Sequence, residues 1–388
     1  MAIYILSSKF STWSPSLQKF FLVFSDRMVH TDSSFDSCGG RSFGICRHGG
    51  IGSVKECQFD SGALRRTGIT GVLIVLFFAL SCGSGKKPRE ITIAVIPMGT
   101  THEFWKSIHA GAVTAAREIG GVRIIWKGPL REDDRDEQVR IIEDFTATRV
   151  SAILLSPMDD RTFIRPVMEA ERTGIPTVLV NSSLQGDSHI SFVATDNYRG
   201  GVIAAEHMGK ITGGKGKLII IRLNEADVTT IERVRGFRET VVSKFPGLEI
   251  ISENQYAGAT TESAFRTGEN LFIRYPETTA LFTPNESSTF GFLRVLQDRG
   301  LAGKIFFIGF DSSEKLVEAL RKREINGLVI QNPFAMGYTG VKVAVAHLRG
   351  EPVEKRIDTG VILAVPENMD DPEVIKLLKP DLSVLGPK

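Results

Sequence analysis

Residues 91–126 read ITIAVIPMGTTHEFWKSIHAGAVTAAREIGGVRIIW, and this stretch decides the fold. Two short apolar runs rich in β-branched residues, at 91–97 and 123–126, enclose a segment of helical period at 102–119. Apolar runs of this length predict buried strands, and the segment between them predicts an amphipathic helix. The stretch is therefore typical of an α/β protein built from βα units around a parallel sheet.

The same alternation continues along the chain to about residue 349. Further strands are predicted at 152–156, 176–180, 190–194, 217–222, 249–252, 280–283, 305–309 and 327–331. Further helices are predicted at 137–149, 198–212, 231–244, 260–274, 286–299 and 333–349. About ten strands are too many for one open sheet of common size, so we expect two sheets in two lobes.

Composition limits the classes of partner. The 388 residues are 42% hydrophobic and 24% charged, with a formal net charge of +2 and with acidic and basic residues interleaved. These values are ordinary for a globular protein with a sizeable core. Because no basic patch stands out, we expect no nucleic acid partner.

The segment at 64–81 has the layout of a secretion signal. Arg65 and Arg66 precede a short apolar stretch at 69–80 that ends at Ser81 and Cys82. This stretch is too short to span a membrane. The sequence around Cys82 resembles a bacterial lipoprotein signal, although Ala79 and Leu80 depart from its usual pattern. We therefore expect a lipid on Cys82 as the chain's one attachment to a membrane, a flexible linker at 82–89 and a location in the periplasm or outer cell envelope. A plain signal peptide without lipid is the alternative.

Residues 1–63 do not fit an exported protein, because a secretion signal should begin the chain. They are rich in Ser and Gly and show no sustained helical or strand period. We interpret them as lying upstream of the true translation start, near Leu64, with a disordered cytoplasmic extension as the alternative. Three cysteines, Cys38, Cys46 and Cys57, lie here, so the part expected to fold contains none.

Polar residues follow the predicted strands at several places. The segments at 98–105, 181–183, 285–286, 309–311 and 331–333 are of this kind, and Arg233 lies at the entry to a helix. Parallel sheets bind ligands at the carboxyl ends of their strands, so these residues should converge on a cleft. In order and spacing the six segments resemble the type I periplasmic binding proteins of the ribose and galactose class, the periplasmic-binding-protein/LacI-like family. The resemblance covers residues 90–365.

This resemblance implies a two-lobed fold with two parallel, doubly wound sheets joined by three hinge crossings. The first lobe would comprise residues 90–195 and 332–358, and the second lobe residues 196–331 and 359–388. The crossings would lie near Asp196, near Gln331 and near Asp358. The resemblance further implies a monomeric substrate-binding protein of an ABC importer, which closes on its ligand and then meets the permease in the inner membrane.

In the ribose-binding branch, aromatic rings after the first strand pack on the sugar, and Phe104 and Trp105 occupy the matching positions. An aromatic face suits the C–H groups of a sugar ring, whereas the hydroxyls need hydrogen-bonding partners. For Phe104, packing in the core is an equal alternative. The indole N–H of Trp105 needs a partner if buried, which favours the cleft.

The resemblance also implies that four planar, forked side chains hold the sugar hydroxyls, namely those of Arg233, Asn285, Asp311 and Gln331. The alternative for Asp311 is a helix cap, a role that Ser312 or Ser313 could fill instead. The alternative for Arg233 is a solvated charge on its helix.

One position departs from the ribose binders. Where they carry an adjacent Asp-Arg pair, this chain has Asn181 and Ser182, and the third aromatic of that branch is replaced by Ala259. We therefore expect Asn181 and Ser182 to contact the ligand in a less charged, roomier site. The expected ligand is a monosaccharide or small polyol and need not be ribose.

Other functions are disfavoured by the sequence. Residues 209–216 approach a phosphate-binding loop but run from helix to strand, and the acidic run at 131–137 is interpreted as a solvated helix start. The histidines show no metal-ligand spacing, and no nucleophile or acid-base pair suggests an enzyme, so we expect no cofactor, metal or catalysis. A DNA-binding regulator of the same family is excluded by the apolar stretch before residue 90. A sugar receptor that feeds a chemotaxis or sensor-kinase system remains an open alternative to transport.

Overall fold

The computed structural model describes residues 90–386. The predictions for the leader at 1–63, the signal peptide at 64–81 and the linker at 82–89 with Cys82 concern residues outside this range. Within it, twelve strands and ten α-helices alternate along the chain.

The strands are β1 Ile91–Ile96, β2 Val122–Trp126, β3 Ala152–Leu155, β4 Thr177–Val180, β5 Ser191–Ala194, β6 Lys215–Arg222, β7 Gly247–Tyr256, β8 Ala280–Phe282, β9 Phe306–Phe310, β10 Gly327–Gln331, β11 Arg356–Asp358 and β12 Val361–Ala364. The helices are α1 Glu103–Ile119, α2 Arg135–Ala147, α3 Ile164–Arg172, α4 Asn197–Ile211, α5 Val228–Lys244, α6 Thr261–Arg274, α7 Glu286–Asp298, α8 Glu314–Arg321, α9 Pro333–Leu348 and α10 Pro372–Leu378.

Two six-stranded sheets organise these elements. The first has the order β11-β5-β4-β3-β1-β2 and is parallel throughout. The second has the order β12-β10-β9-β8-β6-β7 and is parallel except for β12, which runs antiparallel to β10. The predicted α/β class with two parallel, doubly wound sheets is confirmed, and the antiparallel edge strand is a feature that the sequence did not predict.

Each sheet is buried on both faces, as expected for strands covered by helices. In β6, Leu218 and Ile220 pack into one hydrophobic cluster while Ile219 and Ile221 pack into another. Successive side chains of a strand point to opposite faces, so these two clusters lie on the two sides of the second sheet. The carboxyl ends of the strands are thereby held in rigid positions.

Helices α4 and α5 approach each other at their backbones. A Cβ atom on Gly201 of α4 would lie 2.0 Å from the carbonyl oxygen of Arg233 on α5, and one on Gly236 of α5 would lie 2.1 Å from that of Tyr198. Neither position has room for a side chain. This close contact sets the position of α5, the helix that carries Arg233.

The chain passes between the two sheets at three places: after β5, between β10 and α9, and between β11 and β12. Two of the passages are bonded to each other. The Thr195 hydroxyl donates to the carbonyl oxygen of Gly360 at 3.2 Å, and the backbone N–H of Asp196 donates to Asp358 Oδ1 at 3.2 Å. In addition, a short 3₁₀ turn at Ser383–Leu385 packs on α1, where Arg117 Nη2 donates to the Val384 carbonyl at 2.9 Å.

All ten predicted strands and all seven predicted helices are present within a few residues of their predicted bounds. Strands β11 and β12 and helices α3 and α10 were not singled out from the sequence, whereas α8 is the helix for which Asp311, Ser312 and Ser313 were considered as caps. Within residues 90–386, no helix combines the length and the apolar character needed to cross a membrane.

Candidate functional site

A cavity with about 380 Å³ of empty space, part of it open to solvent, lies where the carboxyl ends of the strands of both sheets meet. From the first lobe it is lined by Met98, His102, Phe104, Trp105, Glu132 and Asn181. From the second it is lined by Leu223, Asp227, Thr229, Thr230, Arg233, Asn285, Glu286, Asp311 and Gln331.

Arg233 is held at this cavity by groups of the second lobe. Its side chain is 3% exposed; Nε donates to Asn197 Oδ1 at 2.9 Å and Nη1 donates to the Pro284 carbonyl at 2.8 Å. The guanidinium lies over the ring of Phe310, 4.5 Å from its centroid. Burial lowers the pKa of Arg233, with the charges of Asp311 and Asp227 opposing, and an arginine remains protonated at neutral pH. The alternative of a solvated helix charge is wrong.

Asp311 is also fixed before any ligand arrives. It follows β9 with a left-handed backbone, φ +66°, and its carboxylate accepts hydrogen bonds from Gln331 Nε2 at 2.7 Å and from the backbone N–H of Glu286 at 3.1 Å. Burial raises the pKa of Asp311, and the charge of Arg233 opposes the rise. Because Ser313 occupies the N-cap of α8, the capping alternative for Asp311 is wrong.

Asn285 lines the cavity but already has a structural role. It is the N-cap of α7, where Oδ1 accepts from the backbone N–H of Ser288 at 3.2 Å and Nδ2 donates to Ser287 Oγ at 3.0 Å. Side chains of this type satisfy the free N–H groups at a helix start. A ligand hydroxyl that binds Asn285 would therefore have to share its side-chain oxygen or nitrogen with the groups of the helix cap.

Asn181 and Ser182 replace the charged pair of the ribose binders, and only one of them lies at the cavity. Asn181, with φ +64°, lines the cavity, and its Nδ2 lies 3.4 Å from Ser156 Oγ. Ser182 is 1% exposed and is not among the residues that line the cavity. Ligand contact by Ser182 stays a prediction.

Trp105 and Phe104 form one wall. Trp105 is 3% exposed, belongs to the core of the first lobe and donates its indole N–H to Glu132 Oε1 at 2.6 Å. The ring of Phe104 stands almost perpendicular to that of Trp105, with 4.9 Å between centroids. Phe104 packs against the core and lines the cavity as well, so its contact with a ligand stays a prediction.

Glu132 was missed by the sequence analysis, and His102 was included only as a member of the segment 98–105, without a role of its own. The acidic run does open a helix, since Asp134 caps α2, but the Glu132 side chain is only 12% exposed and reaches the cavity. The interpretation of the whole run as solvated is wrong for this residue. Glu132 accepts from Trp105 and lies 3.0 Å from His102 Nδ1. Burial lowers the pKa of His102, but the hydrogen bond and charge of Glu132, with the charges of Glu286 and Asp311, outweigh it and raise this pKa to about 9.

Asp227 was missed too, and Glu286 was included only as a member of the segment 285–286, without a role of its own. Burial raises the pKa of Glu286 to about 7, although the charge of His102 and the backbone N–H of Phe104 act in the opposite direction. Asp227 caps α5 through its bond from the N–H of Thr229 at 3.0 Å, and burial raises its pKa against the charge of Arg233. These residues add ionisable groups to the cavity beside the uncharged Asn181, and the comparison of its charge with that of the ribose binders stays a prediction.

The position of these residues could have revealed them. Glu132, Asp227 and Glu286 follow β2, β6 and β8 within ten residues of the strand's end, as the predicted ligand-binding residues follow theirs. Chemically, the site offers fixed hydrogen-bonding groups beside two aromatic rings. Among residues 90–386, no group of three or more His, Cys, Asp or Glu side chains is placed to hold a metal ion.

Comparison with known proteins agrees with this architecture. The chain is 26% identical over 280 residues to the ribose import binding protein RbsB of Bacillus subtilis, covering 72% of this chain and 88% of that protein. A carbohydrate transporter solute-binding protein from Agrobacterium radiobacter, solved with D-arabinose, is 32% identical with a TM-score of 0.72, covering 76% of this chain and 100% of that one. A solute-binding protein from Agrobacterium vitis, solved with D-fucose, is 30% identical with a TM-score of 0.71, covering 74% and 99%. The family of the periplasmic binding protein domain matches residues 93–352, and the chain belongs to this family.

Proposed function

We propose that this protein is the extracytoplasmic substrate-binding protein of an ABC importer and binds a monosaccharide or small polyol in the cavity between its lobes. The observation that carries the proposal is the convergence of Arg233, Asp311 and Gln331 with the rings of Phe104 and Trp105 on one cavity. Planar, forked polar groups suit neighbouring hydroxyls, and aromatic faces suit the C–H side of a sugar ring.

The relatives support this ligand class. By name, the Bacillus protein imports ribose, and the two Agrobacterium proteins were solved with D-arabinose and D-fucose. All three ligands are monosaccharides, yet they differ in ring substituents. These relatives therefore support monosaccharides as the ligand class of this chain, but they do not single out one sugar.

Ligand binding would close the two lobes. The cavity takes its walls from both sheets, and the chain passes between the sheets at three places. A ligand that contacts both lobes favours the closed form by its differential affinity for that form. We infer that a monomer closes in this way and that the permease recognises the closed form. Relatives of this family are binding proteins of transporters, which supports a role in transport and not in catalysis.

We further propose export and lipid anchoring through Cys82, which lies outside the described residues. The support is the apolar stretch at 69–80 followed by Ser81 and Cys82. Labelled palmitate should enter the wild-type protein, and Cys82→Ala should abolish the labelling and release the protein from membranes. An unlabelled wild-type protein would contradict the proposed lipid anchor but would have no bearing on the proposed ligand.

A thermal-shift screen of the purified protein against a sugar library tests the main proposal. A ligand at 100 times its dissociation constant adds about 2.7 kcal/mol of stability, which such a screen detects. We expect one or more monosaccharides or polyols to raise the midpoint, and calorimetry to give one ligand per chain at about micromolar affinity. If no sugar or polyol shifts the midpoint, the proposed ligand class is wrong.

A further inference from the structure

The cavity contains more acidic than basic side chains. Four carboxyl groups line it, those of Glu132, Asp227, Glu286 and Asp311, against two basic groups, those of Arg233 and His102. Burial raises the pKa of three of these acids, because the surroundings disfavour the charged form of a desolvated carboxyl group, and the charges of Arg233 and His102 only oppose this rise. A ligand that brings positive charge would relieve this imbalance.

All four carboxyl groups interact with a donor. Glu132 accepts from Trp105 and lies 3.0 Å from His102, Asp227 accepts from the N–H of Thr229, and Asp311 accepts from Gln331. Glu286 interacts with the backbone N–H of Phe104, but one of its two oxygens is left without a donor. Its Oε2 atom is buried, and no donor in the described part of the chain reaches it. A buried carboxylate oxygen without a donor is costly, so Glu286 is the acid at which a ligand gains most.

Gln331 also has an acceptor atom without a donor. Its Nε2 donates to Asp311, while its Oε1 is buried without a donor from any residue between 90 and 386. Gln331 is 2% exposed and lines the same cavity. Asp311 connects the two positions, because it accepts from Gln331 Nε2 and from the backbone N–H of Glu286. Two side chains that line the cavity thus have a buried acceptor atom without a donor among residues 90–386, namely Oε2 of Glu286 and Oε1 of Gln331.

A ligand that matches this arrangement is rich in donors and positively charged. A hydroxyl donates one proton, whereas an ammonium group donates three and neutralises a carboxylate. We propose, on the basis of the function proposed above, that the ligand is an amino sugar whose protonated amine pairs with Glu286. The hydroxyls of the same sugar would engage Arg233 and Gln331.

Titration calorimetry on the full-length protein at about pH 7 tests this inference. Each sugar that binds is compared with its amino derivatives and with the N-acetylated forms, which keep the shape near the nitrogen but lose its charge. We expect an amine to bind at least about tenfold more tightly than both its parent sugar and its N-acetyl form. This comparison needs no variant and therefore does not depend on the folding of one.

Glu286→Gln provides the second arm, because it keeps the side chain's shape and removes the charge. It should abolish the preference for the amine, so that the amine and its parent sugar bind the variant with affinities within about threefold of each other. Glu225→Gln, an exposed acid outside the cavity, should leave both affinities unchanged. Neutral sugars that bind as tightly as their amines would overturn the amino-sugar inference and leave the proposed function intact. Failure of every sugar, charged or neutral, would overturn both.

Discussion

Gln331 donates its side-chain amide to Asp311, with 2.7 Å between Nε2 and Oδ1. Gln331 ends β10 and Asp311 follows β9, so the bond joins two adjacent strand ends at the floor of the cavity. Asp311 Oδ2 lies 3.7 Å from Arg233 Nη1. The three side chains therefore hold one another in place before a ligand arrives, and preorganisation of this kind lowers the entropic cost of binding.

Asp311→Asn should weaken binding of the sugar found in the screen by about 1.5–3 kcal/mol, the range for hydrogen bonds to charged groups. Asparagine is the appropriate replacement, because it tolerates the left-handed backbone at this position. Calorimetry measures the affinity, and circular dichroism checks the fold. Asp133→Asn, on the exposed segment before α2, is the control and should bind like the wild type. A folded Asp311→Asn protein with wild-type affinity would remove Asp311 from the proposed site.

Ligand binding should change the fluorescence of Trp105. The chain has three tryptophans, Trp13, Trp105 and Trp126, and of the two that the structure describes only Trp105 lines the cavity. Trp105→Phe should abolish the ligand-induced change in emission. It should also weaken binding by about 1–3 kcal/mol, because Glu132 loses the indole N–H that donates to it at 2.6 Å.

Trp126→Phe is the matched control for this experiment. Trp126 stacks on His109, with 4.5 Å between ring centroids, and does not line the cavity. The variant should keep both the affinity and the fluorescence change. A ligand-induced change that survives in Trp105→Phe would place the fluorescent contact elsewhere.

Much of this architecture could be predicted from the sequence, because buried parallel strands leave a strong local pattern. The run Ile91–Ile96 is apolar except for Thr92 and is followed by Pro97, so its strand is evident. Strands β11 and β12 are three and four residues long, and most of their side chains are only partly buried or exposed. Such edge strands are formed by pairing with distant neighbours, Phe192–Ala194 for β11 and Leu328–Gln331 for β12, and local sequence contains little of that information.

The site was predicted less completely than the fold, for a physical reason. Arg233, Asp311 and Gln331 follow strands or enter helices at positions that the family resemblance marks. Glu132 lies in a run of acidic residues whose other members are exposed, and only the packing of Trp105 shows which of them turns inward. Burial of one acid in such a run depends on tertiary contacts.

Gly201→Ala should lower affinity without altering any residue of the cavity. The added Cβ would lie 2.0 Å from the carbonyl oxygen of Arg233, so α5 must move and carry the guanidinium away from Asp311. We expect a loss of stability of about 1–3 kcal/mol from overpacking, together with weaker ligand binding. Denaturant unfolding and calorimetry measure the two effects.

Gly174→Ala separates stability from affinity in that comparison. Gly174 has φ +82° and nothing within 4 Å of an added Cβ, so alanine there introduces backbone strain far from α5. It should destabilise the fold by about 1–2 kcal/mol and leave affinity unchanged. Equal affinity in Gly201→Ala and Gly174→Ala would argue against the α4–α5 contact as the element that positions Arg233.

The charges around the cavity also predict how stability depends on pH. His102 faces Glu132, Glu286 and Asp311, and its pKa is raised from 6.5 to about 9, while burial raises the pKa of Glu286 from 4.5 to about 7. In both cases the folded protein binds the proton more tightly than the unfolded chain does. The stabilisation is therefore complete below the unfolded pKa and is lost as the pH rises through the folded pKa.

The free energy of unfolding should consequently fall between about pH 6.5 and 9. In the upper half of this range, deprotonation of His102 causes the fall. The size of its pKa shift corresponds to a loss on the order of 2–3 kcal/mol, to be measured by urea unfolding across this range. His102→Gln removes the titrating group, so its stability should change less steeply over the same interval, whatever its absolute value. His347→Gln, an exposed histidine on α9, should keep the wild-type slope. A His102→Gln curve parallel to the wild type would show that His102 does not hold its proton in the folded cleft.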